Sequence, residues 1–402
     1  MKNLYQLLAV RLLINLADSL FYVVTLWNVT QAADALATGA LVALFTLPDV
    51  LAVFIGPLID RFEPRRLLVV ASGLQLAIQL VRLATLTPFN LPLTYALALG
   101  STLASSLTYP LEDVLIPRLA PQNRLVFANS LFAVAYKAVD TAFNAVSGLL
   151  LSALSFFALY AADLGVFALV FVPLVAFRFH RGPVTTVPFS AKAYRTELAA
   201  GWRYLIGAPL LRALTWPLVA MNAATALASV AMPYFSQEFA RPKLVFGLFT
   251  TAEGVGGMLG ALAVTALARR AGVGRLISWL LVGEGAAWVL AVAVHQVVAT
   301  AALLALSSAL GSVSNTLYAG LYQVLPDATL LGRVNTTVDS LITVAMPAGS
   351  LLGGWVLASI GARWGMALLG LSLIGGAITY WLSRPVMALP KMSAVRPLPP
   401  RG

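Results

Sequence analysis

Seven carboxylates stand inside stretches of sequence that are otherwise almost wholly apolar: Asp18, Asp49, Asp140, Asp163, Glu253, Glu284 and Asp339. The chain has only 15 acidic residues, so nearly half of them occupy such positions, too many for accidents of a lipid-facing surface. A charge at the centre of a bilayer costs about 2.5–3.5 kcal/mol on insertion scales. Groups of this kind therefore face a bundle interior or a wetted cavity. Their spacing supports that placement. Arg11, Asn15, Asp18, Tyr22 and Thr25 recur at alternating intervals of four and three, which puts them on one face of a helix. Lys137, Asp140, Thr141, Asn144 and Gly148 repeat the pattern within "AYKAVDTAFNAVSG", and Thr336, Asp339, Thr343 and Met346 do so near the C-terminus.

The chemistry open to these groups is proton and ion chemistry. A carboxylate in a poorly hydrated cavity can take up and release a proton near neutral pH, which makes Asp18 a candidate proton carrier. Its simpler reading is a pair with Arg11 two turns earlier. Asp140 lies one turn from Lys137, so the two read either as a local ion pair or as a pair for which a substrate or proton competes. Glu253 and Asp339 are further coupling candidates, and Glu253 is also a candidate partner of Lys137. Asp49, Asp163 and Glu284 read as structural. Covalent and metal chemistry find little support. There are no cysteines and only two histidines, His180 and His295. No nucleophile–base set, phosphate-binding loop or nucleophile elbow is present. The run "GVGGMLG" (Gly254–Gly260) lacks the Lys-Ser/Thr of a phosphate loop and reads as close helix packing through small residues. The expectation is a protein that is not an enzyme, with no cofactor and no metal, driven by a proton gradient.

The elements that must position these groups are membrane spans. The chain is 60% hydrophobic and 10% charged, against roughly 25% charged in soluble proteins, and its mean hydropathy is +0.89. A span needs about 20 mostly apolar residues. Twelve candidates fall near 7–29, 38–59, 66–87, 92–111, 126–150, 154–177, 209–233, 244–267, 275–294, 296–320, 335–358 and 362–382. One longer connection divides them six and six. The predicted domains are a bundle over 1–180, a cytoplasmic linker over 181–208, a second bundle over 209–384, and a disordered basic, proline-rich tail over 385–402. The linker stretch "FSAKAYRTELAAGWRYLIG" is amphipathic at helical spacing and reads as lying along the membrane surface. Most of the 26 basic residues fall on one side of these spans, which places both termini in the cytoplasm. That asymmetry accounts for the net charge of +11 without nucleic acid.

The loop "GPLIDRFEPRRLL" (Gly56–Leu68) and its weaker echo "GALAVTALARRAGVGRL" (Gly260–Leu276) suggest an internal duplication. With Gly56, Asp60, Arg61, Arg65 and Arg66, the first loop resembles the signature between spans 2 and 3 of the major facilitator superfamily. Glu63–Pro64 in place of the usual glycine is similar to the drug:proton antiporter branch that includes macrolide efflux pumps. "LADSL" (Leu16–Leu20), "ANSL" (Ala128–Leu131) and Leu330–Gly354 extend that likeness over nearly the whole chain. One departure is that only Gly148, within "FNAVSG", survives of the Gly-Pro-x-x-Gly-Gly motif common in span 5 of antiporters.

The resemblance implies an all-α fold of twelve transmembrane helices in two pseudo-symmetric six-helix bundles. It implies alternating access and a cytoplasmic gate at the first loop motif. Spans 1, 4, 7 and 10 would line a central cavity, with span 5 as an addition. Cavity candidates are then Arg11, Asn15, Tyr22, Tyr109, Glu112, Lys137, Asn144, Asn222, Asn315, Tyr322, Thr343 and Met346. The expected function is proton-coupled export of an amphipathic or lipophilic small molecule by a monomer in the cell membrane, with protons and lipids as its other partners. Within transport, a lysophospholipid flippase and uptake of an anionic solute at Arg11, Arg82 or Lys137 stay open. Outside transport, a membrane sensor or assembly protein stays open.

Overall fold

The computed structural model describes residues 2–398 apart from 62, 122–123, 177–190, 270 and 328–329. Side chains at several further positions, including 51–61, 109, 112 and 137, lie outside the described residues. The chain divides into two compact units, Met1–Phe189 and Ser190–Gly402.

The first unit contains α1 (Lys2–Ala32), α2 (Ala35–Arg61), α3 (Pro64–Ala84), α4 (Leu91–Leu119), α5 (Leu125–Ala153) and α6 (Phe156–Ala176). The second contains α7 (Ala191–Gly207), α8 (Pro209–Ser236), α9 (Pro242–Ala268), α10 (Val273–Val294), α11 (Val297–Val324), α12 (Leu331–Ile360), α13 (Ala362–Leu382) and the short α14 (Arg384–Met387). Excepting α7 and α14, every helix has at least 21 residues, enough to cross a hydrocarbon core of about 30 Å at 1.5 Å per residue. Nine of them also meet a strict test of apolar length among the described residues. The fold is an all-helical membrane fold.

Local chemistry sets the helix ends. The Asn90 side chain accepts the Leu93 N–H at 2.9 Å, Gln296 accepts from Ala299 at 3.0 Å, and Asp34 accepts from Ala37 at 2.8 Å, each satisfying an orphan donor of the first turn. Gly361 ends α12 at φ 85°, a backbone region that side-chain-bearing residues rarely adopt. α4 runs on to Leu119, past an expected end near 111, because Leu111, Leu115 and Ile116 are buried in the core of the first unit.

In the first unit α1 is central, packing on α6, α5, α2 and α4, while α3 packs on α4 and α6. In the second unit the principal pairs are α9 with α11, α8 with α12, and α10 with both α11 and α13. Glycines let those backbones meet. A Cβ on Gly256 or Gly260 would collide with the carbonyls of Ala305 and Ala309 on α11, and one on Gly349 with the carbonyl of Ala223 on α8. The glycine run of α9 is a packing surface.

Two segments outside the long helices pack within the second unit. The amphipathic helix α7 packs along α12 and α8. Gly201 presses on the Arg333 carbonyl and the Thr337 side chain, and the Tyr204 hydroxyl accepts the Asp327 N–H at 3.2 Å. The tail, expected to be disordered, is ordered through residue 398: Val386 and Val395 are buried, Val273 N–H donates to the Pro390 carbonyl at 2.9 Å, and Leu398 N–H donates to Leu325 at 2.9 Å. Sparse apolar anchors and backbone hydrogen bonds outweigh the proline-rich composition.

Candidate functional site

The polar face of α1 meets polar faces of α3, α4 and α6. Asp18 Oδ1 accepts from Gln75 Nε2 of α3 at 2.8 Å, and Oδ2 accepts from Ser105 Oγ of α4. Arg11 is close enough to act electrostatically on Asp18, and its guanidinium lies 5.6 Å from the centre of the Tyr136 ring of α5. Arg11 and Asn15 are buried, whereas Asp18 and Tyr22 keep partial exposure. The Tyr22 ring stands edge-on to Phe45 of α2 at 4.9 Å.

Two turns further along α1 is a second cluster. Thr25 Oγ1 and Tyr160 OH of α6 are 3.1 Å apart. Arg82 of α3, 1% exposed, donates to Thr94 Oγ1 at 3.0 Å and to Tyr160 OH at 3.3 Å. Its guanidinium also lies 4.8 Å from the centre of the Tyr160 ring. An arginine is tolerated there because its donors meet hydroxyls and its face meets an aromatic ring.

The α3 contribution was missed in the sequence apart from Arg82 as an anion candidate. Ser72, Gln75, Gln79 and Arg82 are all buried and recur at intervals of three, four and three. The signal was available: they are the only polar side chains within "ASGLQLAIQLVR" (Ala71–Arg82). Tyr160 was missed because Asp163 is its only polar neighbour at helical spacing on α6.

The other predicted residues are more scattered. Asp140 and Asn144 are partly buried on α5, and each has an interaction partner. Lys137, Tyr109, Glu112, Gly56, Asp60 and Arg61 lie outside the described residues as regards their side chains. Of the gate residues, Arg65 is partly buried and Arg66 is exposed, pairing locally with Glu63 at 3.1 Å. In the second unit, Tyr322 OH is 2.7 Å from Thr215 Oγ1, and Asn222 donates to its own helix at the Leu218 carbonyl, 2.8 Å away. Thr343, Met346 and Glu253 are partly buried; Asn315 and Asp339 are exposed. Among the described residues no group of three or more His, Asp or Glu could hold a metal ion. Among the described residues of the first unit, the polar side chains converge around Asp18, where a carboxylate meets two hydrogen-bond donors and has a cation nearby.

Residues 7–227 match the family model of the Major Facilitator Superfamily. That is more than half of the chain, and the chain belongs to this superfamily. No curated protein matches it significantly. Solved structures extend the likeness over nearly the full length. A peptide transporter POT in complex with sulfate is 12% identical, with TM-score 0.74, covering 97% of this chain and 96% of that one. The nucleoside transporter NupG is 14% identical, with TM-score 0.73, covering 95% and 99%. A bacterial metal transporter is 17% identical, with TM-score 0.66, covering 96% and 99%. At these identities the likeness is one of fold. The chain is a multi-pass membrane protein of a transporter family.

Proposed function

We propose that this protein is a proton-coupled secondary transporter that exports amphipathic or lipophilic small molecules by alternating access, with Asp18 as the coupling carboxylate. The observation that carries the reading is the setting of Asp18. It lies within a membrane-length helix, is held by Gln75 and Ser105, has Arg11 in electrostatic reach, and keeps partial exposure. A carboxylate so placed keeps a partner in either protonation state, because the Ser105 hydroxyl can donate to the carboxylate or accept from the carboxyl O–H. Protonation then favours one orientation of the transporter and substrate the other. Membership of a transporter superfamily supports the class. The choice of export, of an amphipathic cargo and of cytoplasmic termini rests on the sequence motifs and the basic-residue asymmetry. The test is purified protein in liposomes with an imposed pH gradient, assayed for proton release when lipophilic cations or lysolipids are added. Release that depends on cargo supports the reading. No proton movement with any member of either class overturns it.

A further inference from the structure

The first unit contains a second buried carboxylate that the coupling scheme leaves unused. Asp163 of α6 is 0% exposed, and neither of its carboxylate oxygens has a hydrogen-bond partner. Contacts around it fix its level in the bundle. Asp18 meets Gln75, and seven residues further along both helices Thr25 and Arg82 meet at Tyr160, so α1 and α3 run parallel. Five short connections separate α6 from α1, so α6 runs opposite to both α1 and α3, and Asp163, one turn after Tyr160, lies toward the Asp18 level of α1, on which α6 packs. This register sets Asp163 level with Gln79, between the Asp18 cluster and the Arg82 cluster. Gln79 is also 0% exposed and neither of its amide atoms has a partner; Gln75 Oε1 and Arg82 Nε have none either. Buried polar groups are nearly always paired, so this gathering of unpaired ones marks a place where something polar is exchanged.

We propose that Asp163 is a second proton-binding site, exchanging a proton with Asp18. The inference rests on the coupling role of Asp18 above. In the step, the O–H bond at the Asp18 carboxyl breaks and one forms at the Asp163 carboxylate. Asp18 is left ionised beside Arg11, and the net charge of the cluster does not change. The free amide atoms of Gln75 and Gln79 can hold a water that carries the proton across. Among the described residues, the charged and titratable groups of these two clusters are Arg11 and Tyr22 on α1, Arg82 on α3, Tyr160 on α6, and Tyr136 of α5 against Arg11. Arg82 donates to Thr94 and Tyr160 and closes no ion pair with Asp163, so it does not hold Asp163 permanently charged. A proton on Asp163 would thus sit one turn below the Arg82–Tyr160 bond, away from the partly exposed Asp18.

The test needs no cargo. Infrared difference spectra between acidic and alkaline buffer are recorded on the full-length protein in liposomes, for wild type, Asp18→Asn, Asp163→Asn and the double variant. The proposal predicts two titrating carboxyl bands, one lost in each single variant and both lost in the double. It also predicts that the remaining band of each single variant titrates at a pH different from wild type, as coupled sites must. An Asp163→Asn spectrum superimposable on wild type, or an Asp18 band whose titration ignores Asp163, overturns it. Should Asp163→Asn fail to fold, Asp163→Glu keeps the carboxyl and must move the second band; a spectrum unchanged by that variant also overturns the proposal. The coupling role of Asp18 fails separately, if Asp18→Asn still carries out gradient-driven transport.

Discussion

Tyr160→Phe isolates one hydroxyl in the middle of the first unit. The ring stays, and with it the contact to the Arg82 guanidinium at 4.8 Å. Only the bonds to Thr25 at 3.1 Å and Arg82 at 3.3 Å are lost. Hydrogen bonds inside membrane proteins average about 0.6 kcal/mol in double-mutant cycles, a fair value for the neutral Thr25 bond. A bond from a charged donor is worth about 1.5–3 kcal/mol, and Arg82 at 1% exposure has no water to turn to. The expected loss is therefore about 2–4 kcal/mol, most of it from Arg82. Denaturant unfolding in detergent, followed by tryptophan fluorescence, reads it. The partition can be checked. Thr25→Val alone should cost about 0.6 kcal/mol and almost nothing once Tyr160 is already Phe, whereas Arg82→Met should absorb most of the Tyr160→Phe cost. A Tyr160→Phe protein within about 0.5 kcal/mol of wild type, or strict additivity with Arg82→Met, would refute the reasoning that this network holds the first unit together.

Other consequences follow from the same geometry. Gly256→Leu should destabilise the second unit by about 1–3 kcal/mol or more, because its side chain meets the rigid Ala305 carbonyl. Gly257→Ala, whose Cβ would lie 3.3 Å from the movable Ser308 Oγ, should be far milder by the same unfolding assay. Arg363→Ala removes a cation bonded to Glu238 and His295 at 2.5 Å each, yet all three side chains are substantially exposed. Solvent screening should hold its cost below about 1 kcal/mol in a thermal melt. Val395→Asp places a charge at a site 5% exposed and should release the ordered tail, seen as new protease cleavage between residues 384 and 398; an unchanged digest would count against that packing.

The spacing of Arg11, Asn15, Asp18, Tyr22 and Thr25 made one face of α1 legible, because charged residues inside an apolar span have few places to go. The matching face of α3 was written just as regularly, but Gln75 and Gln79 are neutral and carry no such alarm. Asp163 was legible as a residue and not as a site. Its one polar neighbour at helical spacing on α6 is Tyr160, and only the packing of α6 against α1 and α3 brings it toward Asp18. The glycines of α9 read correctly as packing residues because no phosphate-loop chemistry follows them. The ordered tail was hidden because Val386 and Val395 are two anchors in a proline-rich background, and what they bury against lies far away in the chain. The stretch around Lys137 and Asp140 kept its helical form in α5.

The most direct measurement is transport by Asp18→Asn in liposomes, with accumulation driven by a pH gradient compared against exchange of labelled for unlabelled cargo without one. The account predicts that driven accumulation is lost while exchange persists, since a neutral amide can still bond to Gln75 and Ser105 but cannot carry a proton. Driven accumulation at the wild-type level would contradict it.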